Sequence, residues 1–316
     1  MKTTFLLTLM MAPAIFPIPA SAGVIYSYDS AGRVIGANYG NGTTISYAYD
    51  AAGNLIGRAV SGGAQTAGTI TSVTTAFAPA SSGIAQNTWT VIKGTNLVPS
   101  STPAAGVTWS TAASFAQGLM PTQLNGIGVT INGKPGYIYF YCSAATSAIC
   151  TSDQINVLSP FDSALGPVQV FVTNGTSVTL PFPATMETLV PSLFNFDGSH
   201  IVATHLNDTI VGPATLYAGL STPASPSEQI VVYATGFGLP LTALTPGSAS
   251  QFGSLPTLPV CTVGSNAASL AFAGLVSPGL VQMNINIPAN SASGDLPISC
   301  TFAGASTPSG NVVTVQ

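Results

Sequence analysis

Apolar positions along this chain alternate with polar ones over short runs, and helical spacing is nearly absent. Across residues 168–173, Val168, Val170 and Val172 fall on one face and Gln169, Phe171 and Thr173 on the other. That period of two is the mark of a half-buried strand. Residues 137–141 alternate as well, with Tyr137, Tyr139 and Tyr141 on one face and Ile138 and Phe140 on the other. Gly, Pro, Asn and Ser interrupt such runs at short intervals, as turns do. The pattern predicts an all-β protein.

Two repeats organise the strands. The first is short: the run from Tyr26-Ser27-Tyr28-Asp29 through Gly32 to Gly36 recurs as Tyr47-Ala48-Tyr49-Asp50 through Gly53 to Gly57, a period of 21 residues. Each unit has alternating aromatics, an Asp-x-x-Gly turn and a short apolar strand, which predicts a β-hairpin. The second repeat is long. Residues 154–173 lie on residues 282–301 at a constant offset of 128, with seven of twenty positions identical, Gln154/Gln282 and Asn156/Asn284 among them. Upstream, 129–133 matches 260–264 and 91–95 matches 231–235, so the offset drifts from 140 to 131 to 128. Drift of this kind places insertions in loops.

Each long copy is a row of short strands of the right extent for an immunoglobulin-like β-sandwich. The expected organisation is a leader over 1–22, hairpin repeats over 23–62, a first sandwich over 69–183 and a second over 190–316. Residues 61–68 form a small-residue linker. Residues 193–203 read as a hairpin turning at Asp197-Gly198.

The Tyr-x-Tyr-Asp-x-x-Gly units resemble the YD repeats of the Rhs family, in which many copies coil into a shell around a toxin. Two copies enclose nothing, so the toxin-delivery role is not carried over, and a remnant of such a system stays as an alternative. Residues 84–316 resemble an uncharacterised tandem-domain family of secreted acidobacterial proteins, related in style to IPT/TIG modules. The resemblance rests on residues 92–97, 121–135, 154–157, 232–238 and 272–279. It implies the fold and export, brings no catalytic residues, and implies roles in adhesion, spacing or ligand binding.

Counting leaves three pairings open for Cys142, Cys150, Cys261 and Cys300. The long repeat selects one. Cys261 aligns with Thr130 and Cys300 with Val172, so both cysteines enter together in the second copy, and Cys261–Cys300 is expected. Cys142–Cys150 then pins a loop of small residues. Disulfides presuppose an oxidising compartment. The N-terminus reads accordingly: Lys2, an apolar run from Phe5 to Ile18, and Ala20-Ser21-Ala22 ahead of a cleavage point. No later stretch is apolar for long enough to span a bilayer.

Charge excludes several function classes. Only 4% of residues are charged and the net charge is −4, so neither nucleic acid nor anionic lipid is an expected partner. The two histidines, His200 and His205, are five apart and expected to face apart. The nine acids are scattered, without the paired-carboxylate or calcium-loop patterns. No Gly-x-Ser-x-Gly elbow occurs. The reading is therefore non-catalytic, with no cofactor and no metal site: a secreted structural or adhesive module, or a carbohydrate-binding protein. The expected partner is an extracellular protein or polysaccharide, and the oligomeric state stays open. Ligand contact falls to aromatics, namely the Tyr137/Tyr139/Tyr141 face, with Ile138 and Phe140 turned inward, and Trp109. Trp89 and Trp109 are otherwise expected as core anchors.

Overall fold

The computed structural model describes residues 24–38, 44–50, 52–61, 68–76, 80–175 and 177–316. The expected leader over 1–22, its expected cleavage point and most of the expected linker lie outside the described residues. No helix among the described residues is long and apolar enough to cross a membrane.

The hairpin repeats form one antiparallel sheet of β1 (Ile25–Tyr28), β2 (Val34–Asn38), β3 (Thr44–Tyr49) and β4 (Leu55–Ser61), in that order. The two turns are built alike. Asp29 Oδ1 accepts from the N–H groups of Ala31 (3.0 Å) and Arg33 (2.9 Å). Asp50 Oδ1 accepts from Ala52 (2.9 Å) and Asn54 (2.8 Å). Each turn closes through a glycine at positive φ, Gly32 (+77°) and Gly53 (+91°), a conformation open to glycine at little cost.

The first sandwich contains β5 (Thr69–Thr75), β6 (Gly83–Ile84), β7 (Trp89–Thr95), β8 (Ile127–Ile131), β9 (Tyr137–Cys142), β10 (Asp153–Leu158), β11 (Gly166–Asn174) and β12 (Phe182–Met186). One sheet runs β5-β7-β10-β9 and the other β8-β11-β12-β6, with β6 parallel to β12. In chain order these are the A-B-E-D and C-F-G sheets of an immunoglobulin-like sandwich. The last strand reaches Met186, which is 1% exposed, so the domain ends three residues beyond the expected 183. Pro183 sits inside that strand opposite Gln169. The parallel partner covers only Thr185 and Met186, so the proline falls on an unpaired edge, where a missing N–H costs little.

The second sandwich contains β13 (Ser192–Leu193), β14 (Ala203–His205), β15 (Gln229–Thr235), β16 (Val260–Val263), β17 (Leu270–Ser277), β18 (Leu280–Asn286), β19 (Gly294–Phe302) and β20 (Val312–Val315). Its sheets run β14-β15-β18-β17 and β16-β19-β20, the same two orders. Each sandwich has its own core. Ile92, Ile138, Ile155 and Val170 anchor the first, and Val232, Phe237, Met283 and Ile285 the second, all 0% exposed. Separate cores make separate domains.

Both disulfides are present, Cys142–Cys150 and Cys261–Cys300. The register corrects the alignment behind the second by one residue. Cys261 faces Cys300, and the matching pair in the first sandwich is Val129 facing Val172, while Thr130 faces Phe171. A slip of one residue turns a strand position to the other face. Val129 is 2% and Val172 1% exposed, so the second copy carries a disulfide where the first carries an apolar contact.

The sandwiches meet at β7 and the loops beside it. The Trp89 indole N–H donates to the Pro278 carbonyl (2.8 Å), and the Trp89 backbone N–H donates to the Thr235 hydroxyl (3.1 Å). That hydroxyl donates onward to the Gly279 carbonyl (2.8 Å). Gly279 stands at φ +62°, and a Cβ there would strike Leu158. Residues 118–120 pair with 247–249 across the junction: Met120 N–H donates to Gly247 O (2.7 Å) and Ala249 N–H to Gly118 O (2.8 Å).

Candidate recognition surface

The outward residues of β7 are Trp89, Val91 and Lys93, and the residues between them are buried. Across the ladder Trp89 faces Leu158, Val91 faces Asn156 and Lys93 faces Gln154. Beyond β10 comes β9, which holds the main correction to the expected tyrosine face. Ile138 pairs with Val157 and Phe140 with Asn156, which leaves Tyr139 as an extra, bulged residue. A bulge interrupts the period of two and re-aims the side chains after it. Ile138 (0%) and Tyr141 (3%) therefore both lie in the core, and Tyr139 is 41% exposed. Phe140 is half-buried on the outer side with Asn156. Tyr137 lies against the second sandwich, where a Cβ on Gly247 would come within 3.3 Å of its ring. Burial raises the pKa of its hydroxyl. Of the three tyrosines, Tyr139 alone is exposed.

Tyr139 closes a group of four rings. Its centroid is 4.9 Å from Trp109 at 85° and 5.5 Å from Trp89 at 64°. Trp89 and Trp109 are 5.7 Å apart. Phe115, from the helical turn Ala113–Ala116, stacks on Trp109 at 4.8 Å and 21°. Edge-to-face and offset geometry is what ring quadrupoles favour. Neither tryptophan belongs to the core; both are half-buried on the outer face. Trp89 was expected inside because immunoglobulin-like sandwiches commonly bury a tryptophan, but its position is an outward one, and its indole N–H reaches the second sandwich instead.

Beside the rings lies a polar pair. Gln154 Nε2 donates to Asn156 Oδ1 (2.8 Å), and the side chains line a shallow cleft of about 290 Å³ with Thr74, Val91 and Lys93. Sequence reasoning passed over Phe115, Lys93 and this pair as site residues. The pair left a trace in the long repeat, where Gln154 and Asn156 are two of the identities. Behind the face, Asp153 is 6% exposed. Its carboxylate accepts from Leu97 N–H (3.0 Å), Ser143 Oγ (3.1 Å) and Ala144 N–H (3.0 Å), tying the disulfide loop to the sandwich.

The histidines occupy separate places. His200 Nδ1 is 2.7 Å from Asp197 Oδ2, and Nε2 is 3.4 Å from Asp295 Oδ2. Burial works against the imidazolium, but the bonds and charges of Asp197 and Asp295 outweigh it and raise the His200 pKa. Burial likewise opposes ionisation of Asp197, and the His200 and Ser199 donors outweigh it, holding that carboxyl far below its ordinary range. His205 Nδ1 lies 2.5 Å from Glu228 Oε1. Its Nε2 is 3.0 Å from the Thr222 hydroxyl and 3.2 Å from the Thr222 carbonyl, so one exposed residue offers it both a donor and an acceptor. Among the described residues no group of three His, Cys, Asp or Glu side chains is placed to hold a metal.

The RHS repeat family matches residues 28–66, a stretch that takes in most of the hairpin sheet. No curated protein matches the chain. Among solved structures it is similar to SGBP-B of the Bacteroides ovatus mixed-linkage glucan utilization locus in complex with a mixed-linkage heptasaccharide (10% identity, TM-score 0.30, covering 87% of this chain and 54% of that one). It is also similar to the plexin A4 extracellular region (12%, TM-score 0.23, covering 78% and 18%). A third likeness is to the titin tandem domains A164–A165 (7%, TM-score 0.20, covering 79% and 96%). The chain spans about half the length of the first of these and under a fifth of the second. Strand order and register define the fold.

Proposed function

We propose that this chain is an exported, non-catalytic adhesive module whose first sandwich engages extracellular polysaccharide. The observation that carries the reading is Tyr139. A bulge lifts it to 41% exposure over Trp109 and Trp89, and flat aromatic faces of this kind stack on sugar rings. The second sandwich, docked through Trp89 and the 118–120 pairing, holds the surface at a set angle. Two disulfides fit an extracellular setting. Export through the leader over 1–22 and kinship with the acidobacterial tandem-domain family belong to the same proposal.

Tyr139→Ala is expected to weaken retention on a bound polysaccharide at least about tenfold, the size of a modest hot-spot residue, with the melting temperature unchanged. A variant that is retained like the parent rules this face out. Substrate turnover that survives repurification and disappears with Thr222→Val or His205→Asn would sink the non-catalytic part. A remnant of a YD-repeat secretion system is the second reading, favoured by the RHS match alone. A neighbouring gene for a long YD-repeat protein would support it.

A further inference from the structure

We infer that the outer face of the first sandwich takes an acidic oligosaccharide, with a sugar carboxylate on Lys93, hydroxyls on Gln154 and Asn156, and a ring on Tyr139 and Trp109. The inference rests on the polysaccharide reading above and gives it a ligand class.

Cations are scarce here: the whole chain has five. Arg33 is paired with Asp29 and Lys134 with Asp162. Lys93 has no carboxylate partner among the described residues, yet it lines the cleft of the outer face. Asp153 lies next in sequence to Gln154, the residue opposite Lys93. It points inward, with its carboxylate committed to Leu97, Ser143 and Ala144, so it does not neutralise the lysine. A lysine in the middle of a sheet gains nothing from strand propensity.

The neighbouring carboxamides are half-used. Gln154 Nε2 and Asn156 Oδ1 satisfy each other, which leaves Gln154 Oε1 as an acceptor and Asn156 Nδ2 as a donor, both without protein partners among the described residues. A donor and an acceptor side by side suit vicinal hydroxyls, each of which gives and takes a hydrogen bond. The layout is linear. Trp89, Val91 and Lys93 are alternate residues of one strand, so the backbones of Trp89 and Lys93 are on the order of 13 Å apart at about 3.3 Å per residue, with Asn156 level with Val91 and Gln154 level with Lys93 on the next strand. An extended oligosaccharide spans that distance, whereas a free carboxylate would need Lys93 alone.

The test is affinity electrophoresis of residues 23–316, in gels holding polygalacturonate or alginate and in gels holding neutral galactan, each mobility divided by that in a polymer-free gel. The acidic polymers are expected to retard the protein several-fold more than galactan at low salt, with the difference shrinking as salt screens the charge. Lys93→Met is expected to erase the difference while keeping the galactan retardation, and Arg58→Met to leave the difference intact. Equal retardation by acidic and neutral polymers overturns the acidic-ligand inference and leaves the polysaccharide reading standing. A preference that survives Lys93→Met, or disappears with Arg58→Met, also overturns it. Retardation by no polymer overturns both.

Discussion

In the first sandwich Trp89, Val91 and Lys93 face Leu158, Asn156 and Gln154. At the same places in the second, Gln229, Val231 and Tyr233 face Asn286, Asn284 and Gln282. The partner strands agree down to the amide bond, Gln154 to Asn156 and Gln282 to Asn284, both 2.8 Å. The outer rows diverge. The second sandwich continues its amide ladder with Gln229 to Asn286 (3.1 Å), and Asn286 Nδ2 donates onward to the Ser269 hydroxyl (3.0 Å). The first puts the Trp89 indole there, and at the opposite end it puts the Lys93 ammonium where the second has Tyr233. Inside, the relation reverses: the second sandwich has the covalent Cys261–Cys300 link where the first has Val129 against Val172. Strand pairing and core volume hold the common frame, and positions that neither constrains are where the copies acquire different chemistry.

Changes that attack this comparison should have graded effects. The largest is expected from Cys261→Ala with Cys300→Ala. Opening a loop of 39 residues costs about 4 kcal/mol in the chain-entropy model. Cys261→Val with Cys300→Val is expected to recover part of that by copying the Val129–Val172 contact, read as urea midpoints of the second sandwich. Cys142→Ala with Cys150→Ala opens a loop of only 8, for about 2.5 kcal/mol, and should lower the first sandwich alone. If either double variant shifts both sandwiches equally, the two cores are not independent. Trp89→Phe keeps a ring but removes the bond to Pro278. It is expected to cost about 1 kcal/mol at the junction, seen as a widened distribution of interdomain distances between spin labels.

The smallest effect is the pH response of the hairpin that carries His200. Its folded pKa is raised above the ordinary imidazole value of 6.5, so its stabilisation is complete below that value and is lost as pH rises through the folded pKa. Asp197, lowered from 3.8, stabilises above that value and loses its contribution as pH falls further. Stability of the second sandwich should therefore be greatest between those limits, and His200→Gln should flatten the alkaline side. An unchanged alkaline slope would contradict the Asp197–His200–Asp295 arrangement.

The frame was legible in the sequence because it depends on pairing, and pairing left matched residues 128 apart. The turns of the hairpin sheet were legible for a similar reason, since Asp29 and Asp50 act on their own neighbours. The recognition surface was less so. The bulge at Tyr139 exists only in the register between β9 and β10, and strict alternation hid it, sending Tyr141 outward and Phe140 inward. Trp89 read as core because nothing local reveals the Pro278 carbonyl, 189 positions away. Phe115 joins the rings through a single helical turn too short to show a period. The one-residue slip between Thr130 and Val129 shows how an ungapped match can pick the right cysteines and the wrong counterpart.

The chain has two tryptophans, and both stand in the ring cluster of the first sandwich. The most direct test is therefore a titration of tryptophan emission in residues 23–316 with oligogalacturonate. A saturable change is expected, strongly reduced in Tyr139→Ala and weakened in Lys93→Met. Emission that stays flat while the polysaccharide demonstrably binds would place the site elsewhere and contradict the contrast drawn between the two sandwiches.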